Sequence, residues 1–294
     1  MGERSYRPAV ADLLDRQRAL LRWGDEERRD LPWRRTRDPW AILVSELMLQ
    51  QTQVARVVPK YEAFLDRFPT PSACAGQPVS AVIESWAGLG YNRRAVNLHR
   101  AASVVAADHH GRLPDDLDAL LALPGIGPYT ARAVLVFAHE RDIGVVDTNV
   151  ARILARWHGS ELSPRELQER ADEHVPVGRA WEWNQAMFDL GAGLCGARSV
   201  ACEACPVRDQ CAWRGRGPDP ARPVPKQSTF EGSDRQGRGR LVDALRAGAV
   251  TDADLAGVMG WPDDEGRALR VAGTLVDDGL AVHRNGRWQL PTSG

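Results

Sequence analysis

Lysine is almost missing from this chain: of 38 basic side chains only Lys60 and Lys226 are lysines. A mechanism that needs a lysine amine as nucleophile has just those two candidates, and the arginine excess is most simply the coding bias of a GC-rich genome. Long apolar runs are missing as well. No stretch approaches the ~18 to 20 unbroken apolar residues of a membrane helix, so a membrane-spanning role is excluded. The start, MGERSYRPAVADLLDRQ, has acids and polar residues where a signal peptide has its apolar core, so a cytoplasmic, reducing compartment is expected. Charge of one sign is also missing: the net charge is -1, and a nucleic-acid partner has to be met by local placement of arginines. What is present is an ordinary globular composition, 43% apolar and 26% charged over 294 residues, enough for one large or two modest domains.

Few runs alternate with the period of two that strands show. Helix-length apolar patterns separated by Pro- and Gly-rich turns predict a mainly α chain over about 1–213. The predicted helices include one continuous helix from Trp40 to Val58. Pro218, Pro220, Pro223 and Pro225 fall in a polar run that cannot hold a helix, so 214–234 reads as a linker. Beyond it, Arg238 to Arg246, Asp252 to Met259 with Thr251 as its cap, and Asp264 to Asp277 read as three short helices. Two extended runs then flank Asn285-Gly286, a strong hairpin signal. Residues 235–294 are thus predicted to form a small winged-helix-like module. His283, Arg284 and Arg287 serve there either as a phosphate-contacting wing or as an ordinary solvated turn.

Four of the five cysteines crowd together as Cys195-x6-Cys202-x2-Cys205-x5-Cys211, a metal-site pattern in a reducing compartment. With one short knuckle rather than two, this loop, 195–211, favours a [4Fe-4S] cluster over zinc. Cys74 stands alone and reads as a small buried hydrophobe. In LPGIGPYTA, Gly125 and Gly127 allow a tight turn between helices whose amides suit a phosphate group. About 20 residues later VVDTNVAR places Asp147 at a helix start, where its plainest role is an N-cap. Glu46 lies among Val44, Leu47, Met48 and Leu49, a setting that desolvates an acid and raises its pKa, as a general acid requires.

In order along the chain stand LPWRRTRDPW, VSELMLQQTQV, GLGY, LPGIGPYTARAV, VDTNVARIL, WNQAMFDLGAGLC and the cysteine spacing. Over about Leu31 to Cys211 the chain resembles the helix-hairpin-helix, iron-sulfur DNA glycosylases typified by endonuclease III, and among them the MutY-like adenine glycosylases. The resemblance implies a two-part helical core, double-stranded DNA with a mispaired or damaged base as partner, and a chain acting as a monomer. It implies further that Glu46 protonates the extruded adenine and then activates water, and that Asp147 stabilises the sugar cation, with Tyr129 and Asn149 completing the catalytic shell. Gln51 would fill the gap left by the base, and Trp33, Arg34, Leu49 and Gln185 would line or read the adenine pocket. Thr52, Leu89 and Tyr91 match positions near the opposite base, Gly125 and Gly127 the phosphate-gripping hairpin, and Cys195, Cys202, Cys205 and Cys211 the cluster ligands. Arg93 and Arg94 read as added basic surface.

Tyr129 stands where lyases of this group carry lysine, which implies a monofunctional enzyme. Two departures stand out. Asn92 follows Tyr91 where the family commonly has a second aromatic wedge, and some 60 residues replace the usual, much longer C-terminal domain that helps read 8-oxoguanine. The expected activity is removal of adenine opposite 8-oxoguanine or guanine. The alternatives are a glycosylase for T or U opposite G, and an iron-sulfur DNA-binding protein without catalysis.

Overall fold

The computed structural model describes residues 10–223 and 228–292. Lys226 lies outside them. The chain forms two compact units, each assembled from two separated stretches: 10–42 with 127–223, and 43–126 with 228–292. In chain order the elements are α1 (Val10–Glu27), α2 (Pro39–Leu49), α3 (Val54–Arg67), α4 (Pro71–Ala75), α5 (Val79–Ser85), α6 (Arg93–Asp108), α7 (Leu117–Ala122), α8 (Pro128–His139), α9 (Thr148–His158), α10 (Pro164–His174) and α11 (Ala180–Gly193). The C-terminal part adds α12 (Asp234–Ala247), β1 (Val250–Thr251), α13 (Asp252–Met259), α14 (Glu265–Asp277), β2 (Val282–Arg284) and β3 (Arg287–Gln289). Among the described residues no helix is long and apolar enough to cross a membrane.

In the first unit α1 lies along α11, and α11 packs on α8 and α9. The approach of α1 to α11 is tight because Gly24 has no side chain: a Cβ there would stand 2.6 Å from that of Ala186. Trp157 and Trp183 meet beneath it at 6.3 Å, both buried. Arg16 is buried with them, its guanidinium 4.7 Å over the Trp157 ring and 2.7 Å from His174 Nε2.

In the second unit α6 is the central helix, packed against α4 and α5. Phe64, Phe68 and Trp86 form its aromatic core. The same unit contains the C-terminal module. There α12, α13 and α14 pack on one another beside a three-stranded antiparallel sheet of order β1-β3-β2, which is the winged-helix arrangement. Asn285 and Gly286 both have positive φ, 52° and 70°, the geometry of a type I′ hairpin turn. His283 stacks on Trp288 at 4.2 Å, and Asp252 Oδ1 holds both rings through His283 Nε2 and Trp288 Nε1.

The single helix predicted from Trp40 to Val58 is two helices. Between α2 and α3 the chain turns through Gln50 to Gln53, with Gln51 in the left-handed region at φ 55°. The short helix α4 and strand β1 were not anticipated either. Both are brief, and α4 rests on a Thr70 cap followed by Pro71 rather than on periodicity.

Candidate active site

Asp147 is the N-cap of α9, and far more than one bond holds it. Its Oδ1 accepts from the backbone amides of Asn149 (2.8 Å) and Val150 (2.7 Å), and its Oδ2 accepts from the Asn149 side-chain amide at 3.0 Å. Asn149 is fixed in turn because its Oδ1 accepts from Arg152 at 2.8 Å. Arg152 also donates to the carbonyls of Gly191 and Cys195, both at 2.9 Å. Burial raises the Asp147 pKa; the three hydrogen bonds and the Arg152 charge oppose that rise without cancelling it. The carboxylate is therefore aimed by its donors and destabilised by its surroundings, the state in which a nearby positive charge gains most.

In the same unit Arg34 is buried and bound in a fork to Asp189, Nη1 to Oδ2 at 2.7 Å and Nη2 to Oδ1 at 3.0 Å. Arg29 adds a third contact to that carboxylate at 2.5 Å. Burial works against ionisation of Asp189, but these two guanidinium groups hold its pKa below the usual value. Trp33 and Gln185 are also buried. Tyr129, half-buried, sits in the first turn of α8, just after the Leu123–Gly127 turn. Gly125 has φ 76°, and a Cβ there would fall 2.5 Å from that of Asn97, so both conformation and space demand glycine. Gly127 has open space around its Cα and ordinary φ, which leaves its face of the turn clear.

In the second unit Glu46 is buried, 5% exposed, between Val44, Leu47 and Met48, which are buried almost completely. Its carboxyl group is thus largely shielded from water. Leu49, at the end of α2, is half-buried. Thr52 donates to the Leu89 carbonyl at 3.2 Å, so the turn after α2 and the GLGY turn are joined. Tyr91 is exposed and, like Gln51, left-handed at φ 46°.

One side chain organises all of this. Arg94 is buried rather than part of a basic surface: Nη1 donates to the carbonyls of Leu47 (2.6 Å), Met48 (2.9 Å) and Gln50 (2.6 Å), and Nη2 to Gly90 O (2.9 Å) and Thr52 Oγ1 (3.1 Å). It caps the C-terminus of α2 and pins both left-handed turns, and burial lowers its pKa to about 10. Its solvated reading came from the Arg93-Arg94 pair, of which only Arg93 is exposed, 3.3 Å from Asp278.

The four clustered cysteines line one small cavity of about 20 Å³, closed by Trp157, Leu190 and Leu194. Burial pushes the Cys205 thiol up to about 11, and the nearby Cys195, Cys211 and Cys202 push the same way. The surrounding donors suit thiolate sulfur: Arg156 Nη1 lies 3.2 Å from Cys195 Sγ and the Arg214 amide 3.5 Å from Cys211 Sγ. Among the described residues no group of three or more His, Cys, Asp or Glu side chains is arranged to hold a metal ion. Cys74 is fully buried with its thiol pushed up to about 12, as an inert core residue.

Arg94, Arg152 and Asp189 are the residues that sequence reasoning missed. Only Asp189 left a signal, an acid on an otherwise apolar helix face.

Comparison with known proteins gives a consistent answer. Residues 44–176 match the model of the HhH-GPD superfamily of base excision DNA repair proteins. Adenine DNA glycosylase of Mycobacterium tuberculosis is 43% identical over 286 residues, covering 94% of this chain and 93% of that protein. The solved structure of a thermostable thymine-DNA glycosylase superposes with a TM-score of 0.67 at 31% identity, over 70% of this chain and 97% of that one. Endonuclease III, trapped as a covalent DNA intermediate, superposes with a TM-score of 0.63 at 21% identity, over 71% of this chain and 98% of that one, and shows the same fold. With its mainly helical architecture and its paired glycosylase motifs, the chain belongs to the adenine DNA glycosylases of the helix-hairpin-helix base excision repair superfamily.

Proposed function

We propose that this chain is a monofunctional glycosylase that removes adenine paired with 8-oxoguanine or guanine in double-stranded DNA, acting as a cytoplasmic monomer. The observation that carries the reading is Glu46, a carboxyl group buried at 5% exposure on an apolar helix in a glycosylase fold. Adenine is a poor leaving group, so it must be protonated as its bond to the sugar lengthens. Glu46 donates that proton to a ring nitrogen, the C1′–N9 pair leaves with the base, and an oxocarbenium-like sugar remains. Glu46, now ionised, takes a proton from water as its oxygen adds to C1′, which restores the acid and yields an abasic site. Asp147 stabilises the sugar cation, held in place by its three donors. Asn149 serves it as positioner, and Tyr129, at a hairpin position that can form no imine, leaves strand cleavage without a nucleophile.

Gln51 has the left-handed turn suited to entering the stack, Trp33, Arg34, Leu49 and Gln185 are assigned to the adenine pocket, and Thr52, Leu89 and Tyr91 to the opposite strand. Gly125 and Gly127 would present the hairpin amides to phosphate. Cys195, Cys202, Cys205 and Cys211 would hold a [4Fe-4S] cluster, which fastens the 195–211 loop and leaves the base chemistry to the carboxylates. The catalytic core is assigned to 1–213, with 214–234 as linker and 235–294 as the added module.

The 31% likeness to a thymine-DNA glycosylase supports a second reading, action on T or U opposite G. Single-turnover excision on duplexes holding A opposite 8-oxoguanine, A opposite G, T opposite G and U opposite G separates the two. Loss of the A strand only after alkali is the expected outcome. Excision of T or U alone would replace the adenine reading with the second. In the same assay Glu46→Gln should lower the excision rate by at least about 10²-fold, the low end of what general acid catalysis supplies, while binding persists. Undiminished turnover would remove Glu46 from the mechanism.

A further inference from the structure

Within the second unit a cleft of about 890 Å³ opens between the two left-handed turns and the C-terminal module. One wall is Gln51, Tyr91 and Asn92; the other is Phe230, Arg235 and Arg238. Its size is that of a ligand site. Six guanidinium groups line it against two carboxylates, Asp243 and Asp278, so it favours an anion. Both carboxylates are already paired, Asp278 with Arg238 at 2.5 Å and Asp243 with Arg246.

The module is fastened at this spot by the very residue that departs from the family pattern. Arg246 of α12 donates to Asn92 Oδ1 at 3.0 Å and, through Nε and Nη2, to the Ile83 carbonyl at 3.2 and 3.0 Å. Asn92 thus anchors the module instead of stacking on a base. Across the cleft, Phe230 offers an aromatic face that is 55% exposed. Its backbone is anchored. Its carbonyl accepts from the Ser233 amide (3.2 Å) and hydroxyl (2.6 Å), Ser233 caps α12, and the Arg235 guanidinium lies 5.4 Å over the ring. An exposed aromatic on an anchored backbone, beside arginines and in one cleft with two strained turns, is a platform for a base with its phosphate.

We infer that Phe230 is a specificity-determining residue: it stacks on the base opposite the excised adenine, while Arg235 beside it meets the phosphate of that strand, so that the short module completes the opposite-base site. The inference rests on the adenine reading above but is tested by binding, which does not depend on excision. Equilibrium binding of the parent, Phe230→Ala and Phe230→Trp, each carrying Glu46→Gln so that no adenine is lost during the measurement, is compared on duplexes holding A opposite 8-oxoguanine, A opposite G and A opposite an abasic analogue. Phe230→Ala should lose about tenfold in affinity on the two duplexes with an opposing purine, within the range that base–aromatic stacking supplies, and nothing on the abasic one, and Phe230→Trp should restore the loss. An equal loss on all three duplexes, or none on any, overturns the inference. A wild type that binds but excises no adenine would instead remove the adenine reading while the binding comparison still decides on Phe230.

Discussion

Asp147 combines two demands that compete at the level of a single side chain. As an N-cap it needs only one acceptor contact, and Asn would serve as well. In the proposed role of counter-charge to a sugar cation it has to be ionised, and burial makes ionisation costly, which is why its pKa is raised despite three donors. The sign of the stability effect follows. A carboxyl with a raised folded pKa keeps its proton in the folded state at pH values where the unfolded chain has lost it, so folded binds more protons than unfolded and stability falls as pH rises through that window. Below about pH 4 both states are protonated and the penalty vanishes. Asp147→Asn should therefore match or exceed the wild type in thermal stability at pH 7, with no such advantage near pH 4, while excision drops sharply. Melting curves at the two pH values check this; an Asp147→Asn protein less stable than wild type at pH 7 would show that the carboxylate is a structural cap first.

At the scale of elements the decisive feature is the break after α2. Arg94 from α6 donates to its last carbonyls, Leu47 O and Met48 O. Arg94→Met keeps much of the apolar stem but leaves several buried carbonyls unbonded, at about 1 to 3 kcal/mol for each that water cannot reach. Unfolding in urea should show a loss of about 3 kcal/mol or more, and Arg94→Lys should recover only part of it, since a point charge cannot fork to two turns. Full recovery with lysine would mean that charge alone, rather than geometry, holds the turns. The same break explains what was legible in sequence. Helices α8, α9, α10 and α11, the three module helices and the Asn285-Gly286 hairpin all follow from periodicity, caps and turn residues. The run from Trp40 to Val58 does not, because MLQQTQV holds neither Pro nor Gly to mark a stop and the arginine that caps the helix lies more than 40 positions away. Glu46, Asp147 and the four cysteines were legible as candidates for chemistry; the structural roles of Arg94 and Arg152 were not, since an arginine in a polar stretch looks solvated until the fold brings carbonyls to it.

At the scale of the molecule the cysteine loop and the candidate catalytic carboxylate share one chain of contacts. Arg152 receives no ligand itself, yet it holds the Cys195 carbonyl with one nitrogen and Asn149 with another, and Asn149 holds Asp147. Arg156 adds a second tie, to Cys195 Sγ and to both oxygens of Asp219. Loosening the loop should therefore be felt at Asp147. Cys205→Ala is expected to abolish the visible absorption of an iron-sulfur cluster and to lower the melting temperature by several degrees, on the scale of about 2 to 4 °C per kcal/mol for a domain of this size. It should also slow excision, and Arg152→Met, which leaves every thiol in place, should slow excision while keeping the absorption. A colourless wild type that carries zinc would replace the cluster assignment, and normal excision by a Cys205→Ala protein that has lost its colour would show that the loop and the carboxylate are independent.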